Sequence, residues 1–334
     1  MEGAEVCMNM EAIGGYLELE LPPASAWMDK RAIGYQAARK AFQALLRSGQ
    51  PRRVWLPRYT CTSLIDTLET EGIEFAFYAI DEQLQLAGSV SLSRGEWLLY
   101  INYFGVRDAY ARQLLRRFDP DSVVIDCSQS LFSPPFDCLA TLYSPRKFVG
   151  VPDGGLLITR VAMPPPQEVD DGSIERLSPL LKRIAFSAES GYQEHHQVDR
   201  SLSEGEPMRM SVLTSHLLSR IHAEHVRACR IANFSLLHRL LGRHNRLDLG
   251  QVPPFVAPMC YPLLTTHAGL RAFLISRRIF VPRYWSDLDG ADARFETERS
   301  LSVQLTALPC DQRYGESHMR RIAQACNEFL EAAC

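Results

Sequence analysis

The sequence predicts an α/β fold: a large, mostly parallel sheet domain covered by helices, plus a small C-terminal α/β domain. Three observations carry that prediction. Short apolar runs alternate with helical stretches through the first half of the 334 residues, the pattern of a parallel sheet covered on both faces. The runs at 123–125, 139–143 and 156–158 are unbroken, as strands buried on both sides are. After residue 159 the alternation stops and a long helical stretch leads to a shorter mixed tail. The pattern divides the chain into a large domain at 1–215, a linking helix at 216–249 and a small domain at 250–334.

Taken in order, the stretch at 14–21 alternates and ends in Pro22-Pro23, so it reads as an edge strand. Residues 34–46 read as a helix, because Ala37, Ala38, Ala41, Phe42 and Leu45 share one face at helical spacing. Gly34 stands just ahead of it, where the first N–H groups of a helix lack internal partners. Strands follow at 54–56, 75–80 and 97–103, with helices at 64–71 and 109–118. The proline-rich 163–166 and acidic 168–171 make an exposed connector. A helix is expected at 174–187, a loop at 188–207 and one long helix from 211 to about 241. The tail holds strands at 261–264 and 279–281 and helices at 267–277 and 316–333. No internal repeat or low-complexity tract occurs.

Composition excludes several function classes. Hydrophobic content of 46% and charged content of 22% are those of an ordinary globular protein. A net charge of −3 gives no basic field, so no nucleic-acid partner is expected. No apolar run approaches the roughly 20 residues that span a bilayer. The N-terminus, Met1-Glu2-Gly3-Ala4-Glu5, is acidic and no apolar segment follows it, so a cytoplasmic location is expected. The nine cysteines are odd in number and form no Cys-x-x-Cys pair, so they read as reduced, small buried hydrophobes. His195-His196 has no partner at ligand spacing, and no metal site is expected.

The chemistry concentrates at two residues. Asp126 ends the 123–125 run, and Lys147 follows the 139–143 run within Ser144-Pro145-Arg146-Lys147. A carboxylate able to face a protonated pyridine nitrogen, with an amine able to condense with an aldehyde, is what pyridoxal phosphate requires of a protein. Tyr59-Thr60-Cys61 and Tyr103-Phe104-Gly105 also fall just past strands. In open α/β sheets ligands bind at these strand ends.

These residues resemble the DegT/DnrJ/EryC1/StrS family of PLP-dependent sugar aminotransferases, of fold type I, over nearly the whole chain. The likeness rests on Gly34-x-x-Ala37, Leu56-Pro57-Arg58-Tyr59-Thr60-Cys61, Asp126-Cys127-Ser128-Gln129, and Ser144 to Lys147 with Gly154-Gly155 behind it. Arg209-Met210-Ser211 ahead of the long helix fits too. The closing 308–315 segment looks like a subgroup found beside polysaccharide biosynthesis genes.

The resemblance implies pyridoxal 5'-phosphate held by Lys147, a buried amine that also moves the proton of the substrate α-carbon. It implies that Asp126 keeps the pyridine nitrogen protonated, that Gln129 bonds the ring oxygen and that Ser144 bonds the phosphate. The phosphate would also meet the backbone of Gly34, Tyr35 and Gln36 at the start of the 34–46 helix. Cys61 would lie against the cofactor face, with Tyr59, Tyr103 or Phe104 as aromatic substitutes. Tyr103, Arg283 and Arg313 are substrate candidates, the arginines because a guanidinium binds a donor carboxylate through two parallel bonds.

The implied function is transfer of an amino group from glutamate or glutamine to a nucleotide-linked keto-sugar, in polysaccharide or glycoconjugate biosynthesis, by a homodimer with shared active sites. Three departures from the family stand out. Tyr35 replaces a small hydroxyl residue, Cys61 an aromatic one, and Pro207 an asparagine that relatives extend across the dimer. Two alternatives follow: a dehydratase or lyase, against which Lys147 argues because dehydrating relatives carry histidine there, and a degenerate non-catalytic member.

Overall fold

The computed structural model describes residues 13–250, 253, 256–288 and 292–332. Its centre is a seven-stranded sheet in the order β1-β7-β6-β5-β4-β2-β3. The strands are β1 (Ile33–Tyr35), β2 (Arg53–Pro57), β3 (Glu74–Tyr78), β4 (Glu96–Ile101), β5 (Val123–Cys127), β6 (Ala140–Tyr143) and β7 (Gly155–Thr159). Strands β3, β2, β4, β5 and β6 run parallel, while β7 runs antiparallel to both β6 and β1. Every residue of β4, β5 and β6 is buried, which is why those runs read as unbroken apolar sequence.

Helices α1 (Ala38–Gly49), α2 (Thr62–Thr70) and α3 (Asp108–Arg117) are the sheet crossovers. In α1, the stripe Ala41, Phe42, Leu45 and Leu46 is wholly buried. Burying a leucine or phenylalanine contributes about 1.5–3 kcal/mol, so this stripe fixes the helix on the sheet. Helix α1 ends where Gln50 turns left-handed (φ 44) and donates its N–H to Leu46 O. The expected helix at 34–46 therefore begins four residues late. Its first residues belong to β1, whose partner in β7 lies far along the sequence.

After β7 come α4 (Ser173–Ala185), α5 (Tyr192–Ser201), α6 (Val212–Ser219) and α7 (Ala223–Leu241). Helix α5 occupies the expected loop. The single long helix is two, because other groups take the carbonyls that a continuing helix would use. Trp27 Nε1 donates to Leu218 O at 2.6 Å and Ser25 N–H to Ser219 O at 2.6 Å. His222 Nδ1 then accepts the His225 N–H and caps α7.

The small domain pairs β8 (Tyr261–Leu264) antiparallel with β9 (Leu305–Leu308), beside α8 (Leu270–Ser276), α9 (Glu296–Gln304) and α10 (Glu316–Ala332). Residues 279–281 and 14–21, expected as strands, pair with nothing among the described residues. Tyr16, Leu17 and Leu19 are largely exposed. The N-terminal five residues, Cys7 and Cys334 lie outside the described residues. No helix among the described residues is long and apolar enough to cross a membrane.

Candidate active site

The sheet brings one edge together. The carboxyl ends of β1, β2, β4, β5 and β6 point the same way, and β7, being antiparallel, begins there. Asp126, the segment from Ser144 to Lys147, Gly154 and the start of α1 therefore share that edge. Asp126 and Cys127 pair with Leu142 and Tyr143, so the carboxylate stands beside the strand end from which the lysine loop departs.

Asp126 is buried, and its Oδ1 accepts the Ser128 N–H at 2.7 Å. No cation pairs with it among the described residues. Beneath it, Asn102 N–H donates to Asp126 O at 2.9 Å, and the Asn102 side chain ties Arg107 N–H to Ser133 Oγ. Gln129 is buried as well. Its Oε1 accepts the Phe104 N–H at 2.7 Å, while its Nε2 is buried without a partner. A buried donor left unmade costs about 1–3 kcal/mol, and no acceptor for this amide occurs among the described residues.

Lys147 ends a short turn, Pro145–Lys147, whose backbone is pinned. Its own N–H donates to Ser144 O at 3.2 Å. The next carbonyl, Phe148 O, accepts from Arg230 Nη2 at 3.0 Å and Gln312 Nε2 at 2.8 Å. The Arg230 guanidinium also stacks over the Phe148 ring, 4.6 Å from its centroid. The Lys147 amine is exposed and unpaired among the described residues. That departs from the buried lysine expected: the turn that it ends leaves its side chain in solvent. Ser144 is buried and its hydroxyl makes no hydrogen bond.

The expected phosphate cradle does not form at Gly34, Tyr35 and Gln36. Gly34 and Tyr35 are strand residues paired with Leu156 and Gly155, and the Gln36 N–H already donates to Met208 O. None of the three has a backbone donor at a helix start. Gly34 instead leaves room for Met210: a Cβ there would lie 2.8 Å from the Met210 methyl. The Tyr35 hydroxyl is pushed up to about 12 by burial, and the Gln36 side chain is bonded to Glu206 O and the Met208 N–H. The first turn of α1 starts past Ala37, where the Lys40 and Ala41 N–H groups both donate to Ala37 O. Gly155 allows β7 to approach there, since a Cβ would fall 2.2 Å from Ala37 C and Ala38 N.

Two arginines flank that turn. Arg39 and Arg146 both pair with Asp199 of α5, at 3.3 and 3.2 Å, and Val198 and Leu202 pack on Ala37. Burial alone would raise the Asp199 carboxyl, but the two guanidiniums outweigh it and hold it below the usual carboxylate range. Burial lowers the Arg146 pKa.

An aromatic wall closes the far side. Tyr59, Tyr103, Phe104, Tyr284 and Trp285 contact one another, with Tyr59 and Trp285 centroids 4.3 Å apart. Tyr103 is fully buried and its hydroxyl donates to Tyr59 O at 2.8 Å. It is a core residue and cannot meet a substrate. Half-buried Cys61 precedes α2 and accepts from Ser63 Oγ. Arg283 is held against Ser302 through Nε and Nη2. Arg313 is held by Asp311 through two bonds of 2.7 and 2.9 Å, so its fork is already occupied.

Sequence reasoning missed Arg39, Arg146, Asp199, Asn102 and Arg230 here. It also missed why Asp153 precedes the diglycine: the buried carboxylate accepts Ser211 Oγ at 2.7 Å and the Ser211 N–H, locking the start of α6 to the lysine loop. Among the described residues no three His, Cys, Asp or Glu side chains gather as metal ligands.

No family model matches the chain, and no curated protein sequence matches it. Solved structures do match. A DegT DnrJ EryC1 StrS aminotransferase from Brucella abortus superposes with a TM-score of 0.58 at 14% identity, covering 89% of this chain and 85% of that one. PseC of Helicobacter pylori, an aminotransferase involved in the biosynthesis of pseudoaminic acid, gives 0.61 at 15% identity over 90% and 87%. DesV of S. venezuelae, solved with a ketimine intermediate, gives 0.60 at 16% identity over 89% and 84%. At these identities the likeness establishes the fold, which is the one expected.

Proposed function

We propose that this chain is a PLP-dependent aminotransferase that passes an amino group from glutamate or glutamine to a nucleotide-linked keto-sugar, in polysaccharide or glycoconjugate biosynthesis. One observation carries the reading. The Asp126 carboxylate, the buried Gln129 Nε2, the Ser144 hydroxyl and the Lys147 amine, none of them paired with a charged or donor side chain among the described residues, lie along one sheet edge. That set fits pyridoxal phosphate group by group: an anion for the ring N–H, a donor for the ring oxygen, a hydroxyl for phosphate and an amine for the aldehyde. The fold, shared with aminotransferases, supports it.

Bound pyridoxal phosphate would supply an aldehyde and a protonated ring that withdraws electrons. The chain's residues do the rest. Asp126 would hold the ring proton. Gln129 Nε2 would donate to the ring oxygen and Ser144 Oγ to phosphate, aided by the backbone N–H groups that open α1. The unpaired Lys147 Nζ, on a pinned backbone, can attach the cofactor and carry a proton from the substrate α-carbon.

The exposure of Lys147 and of the apolar Ile174, Leu181, Ile184 and Phe186 of the α4 region supports a homodimer in which a second copy covers Lys147. A cytoplasmic location belongs to the same reading. A second reading, a non-catalytic relative, has Asp199 in its favour, because that carboxylate occupies the arginine pair an incoming phosphate would use. Titrating the purified protein with pyridoxal phosphate tests both readings. A visible absorption band that glutamate converts to the pyridoxamine form supports the transaminase. Colour without that response favours a lyase, and a colourless protein the non-catalytic reading.

A further inference from the structure

Residues 13–21 form an arm that leaves the body of the chain. Tyr16, Leu17 and Leu19 are 98%, 89% and 68% exposed, and Ile13 is wholly so. From 13 to 24 no backbone group makes a hydrogen bond among the described residues. The arm has the pattern of an amphipathic strand, with Leu17, Leu19 and Leu21 on one side and Glu18 and Glu20 on the other. Exposed apolar side chains beside unpaired backbone make such a segment ready to pair with another surface.

A groove of about 970 Å³ opens at the root of the arm, between β7 and the junction of α6 with α7. Pro22 and Pro23 line it, and residues 13–21 do not. Its floor is apolar: Trp27, Leu131, Phe132, Leu156, Ile158 and Ile221, with the Trp27 and Phe132 ring centroids 6.0 Å apart. Two of its carboxylates are already paired, Asp29 with Arg31 and Glu224 with Arg227. Arg220 is not. Its guanidinium donates to His216 O and Ser219 Oγ and meets no carboxylate among the described residues. Arg227 Nε, on the same wall, is buried without a partner.

We infer that this groove receives the arm of a second copy, the two arms being exchanged across a two-fold axis. The inference deepens the homodimer reading and rests on it for the presence of a second copy. Size, polarity and backbone stiffness select this occupant. A strand residue fills roughly 3.3 Å by 4.8 Å by 10 Å, so the six residues 16–21 need on the order of 950 Å³. The groove is of that size. Laid into it, the leucine face meets the apolar floor, and Glu18 and Glu20 bring the carboxylates that Arg220 lacks.

The chain's own arm cannot make the same contact. Leu21 and Pro22 each precede a proline, which keeps both extended, and the proline rings fix φ. Ser25 N–H is bonded to Ser219 O, and Trp27 Nε1 to Leu218 O. Ala24 alone is left to turn the arm back, and a turn before Leu21 would break the leucine face. An extended arm rooted beside its own groove instead reaches the same groove of a partner related by a nearby two-fold axis.

The test uses the full chain in two measurements. A photoreactive benzoylphenylalanine replaces Leu19, and the products of illumination are separated by mass and mapped by peptide sequencing. The expected product has the mass of two chains, joined from residue 19 to 131–135, 156–158 or 220–224. A product of one chain's mass joined to those segments means that the arm folds onto its own chain, which overturns the exchange. No product, or attachment elsewhere, overturns the groove. Sedimentation equilibrium then compares the parent with L17D/L19D, whose circular dichroism should match the parent's because both leucines are exposed. The variant should raise the dimer dissociation constant at least 10-fold. An unchanged constant sinks the exchange and leaves the homodimer standing, whereas a parent that is monomeric at every concentration sinks both.

Discussion

Gln129 accepts the Phe104 N–H through Oε1 at 2.7 Å, and that bond leaves its Nε2 buried and without a partner. The orientation of the amide is thereby fixed by a backbone group on the neighbouring strand end. Its donor end is left without a partner among the described residues.

Q129E keeps an acceptor for Phe104 and removes the donor. It should weaken pyridoxal phosphate binding about 10-fold, the equivalent of one lost hydrogen bond of roughly 1.4 kcal/mol. Q129A also orphans the Phe104 amide and should cost a further 1–3 kcal/mol or so of stability. Absorbance titration measures the first effect and urea denaturation the second. Unchanged affinity in Q129E would remove Gln129 from the site.

K147A should leave the fold intact, because the exposed amine makes no hydrogen bond or ion pair among the described residues and surface changes of this kind fall within about 0.5 kcal/mol. The visible band and transamination should both vanish. Circular dichroism and denaturation establish the first point, and spectra with and without glutamate the second. A K147A protein that still turns over glutamate would falsify the assigned role.

The parts of this architecture visible in the sequence are those set by local pattern. Strands β4 to β7 announce themselves as apolar runs because both faces are covered. Asp126 and Lys147 could be found because each interrupts or follows such a run. What was misread depends on distant partners. Ile33–Tyr35 is a strand only because β7 lies beside it, so Gly34 was taken for a helix start. Helix α5 shows a single buried side chain, Val198, and leaves no apolar period to detect. Tyr103 looked like a strand-end ligand, yet the chain turns there through Phe104 in a left-handed conformation (φ 55) and folds the ring inward.

Gly155 and Gly34 make a contrasting pair. A methyl at Gly155 would meet backbone at 2.2 Å, and neither α1 nor β7 can yield without breaking the sheet edge. G155A should cost about 3 kcal/mol and also weaken the cofactor, since the start of α1 must shift. A methyl at Gly34 meets the flexible end of Met210, so G34A should cost about 1 kcal/mol. Denaturation midpoints compare the two. Equal costs would show that the close approach of β7 to Ala37 is not a structural requirement.

Asp199 supplies the pH dependence. Its burial opposes ionisation, but Arg39 and Arg146 prevail and its folded-state pKa lies below the usual value of about 3.9. A carboxylate depressed on folding stabilises the fold above its unfolded pKa and loses that contribution as pH falls through the folded one. The stability difference between the parent protein and D199N should therefore be full at neutral pH and close below about pH 4. Amide exchange at Lys40 and Ala41, which donate to Ala37 O, should speed up in D199N, because the ion pairs that hold α5 over the start of α1 are gone. Pyridoxal phosphate should bind D199N more tightly at neutral pH, since a dianionic phosphate no longer competes with a carboxylate for the two guanidiniums. Weaker binding by D199N would mean instead that Asp199 orients those arginines for the phosphate and does not stand in its place.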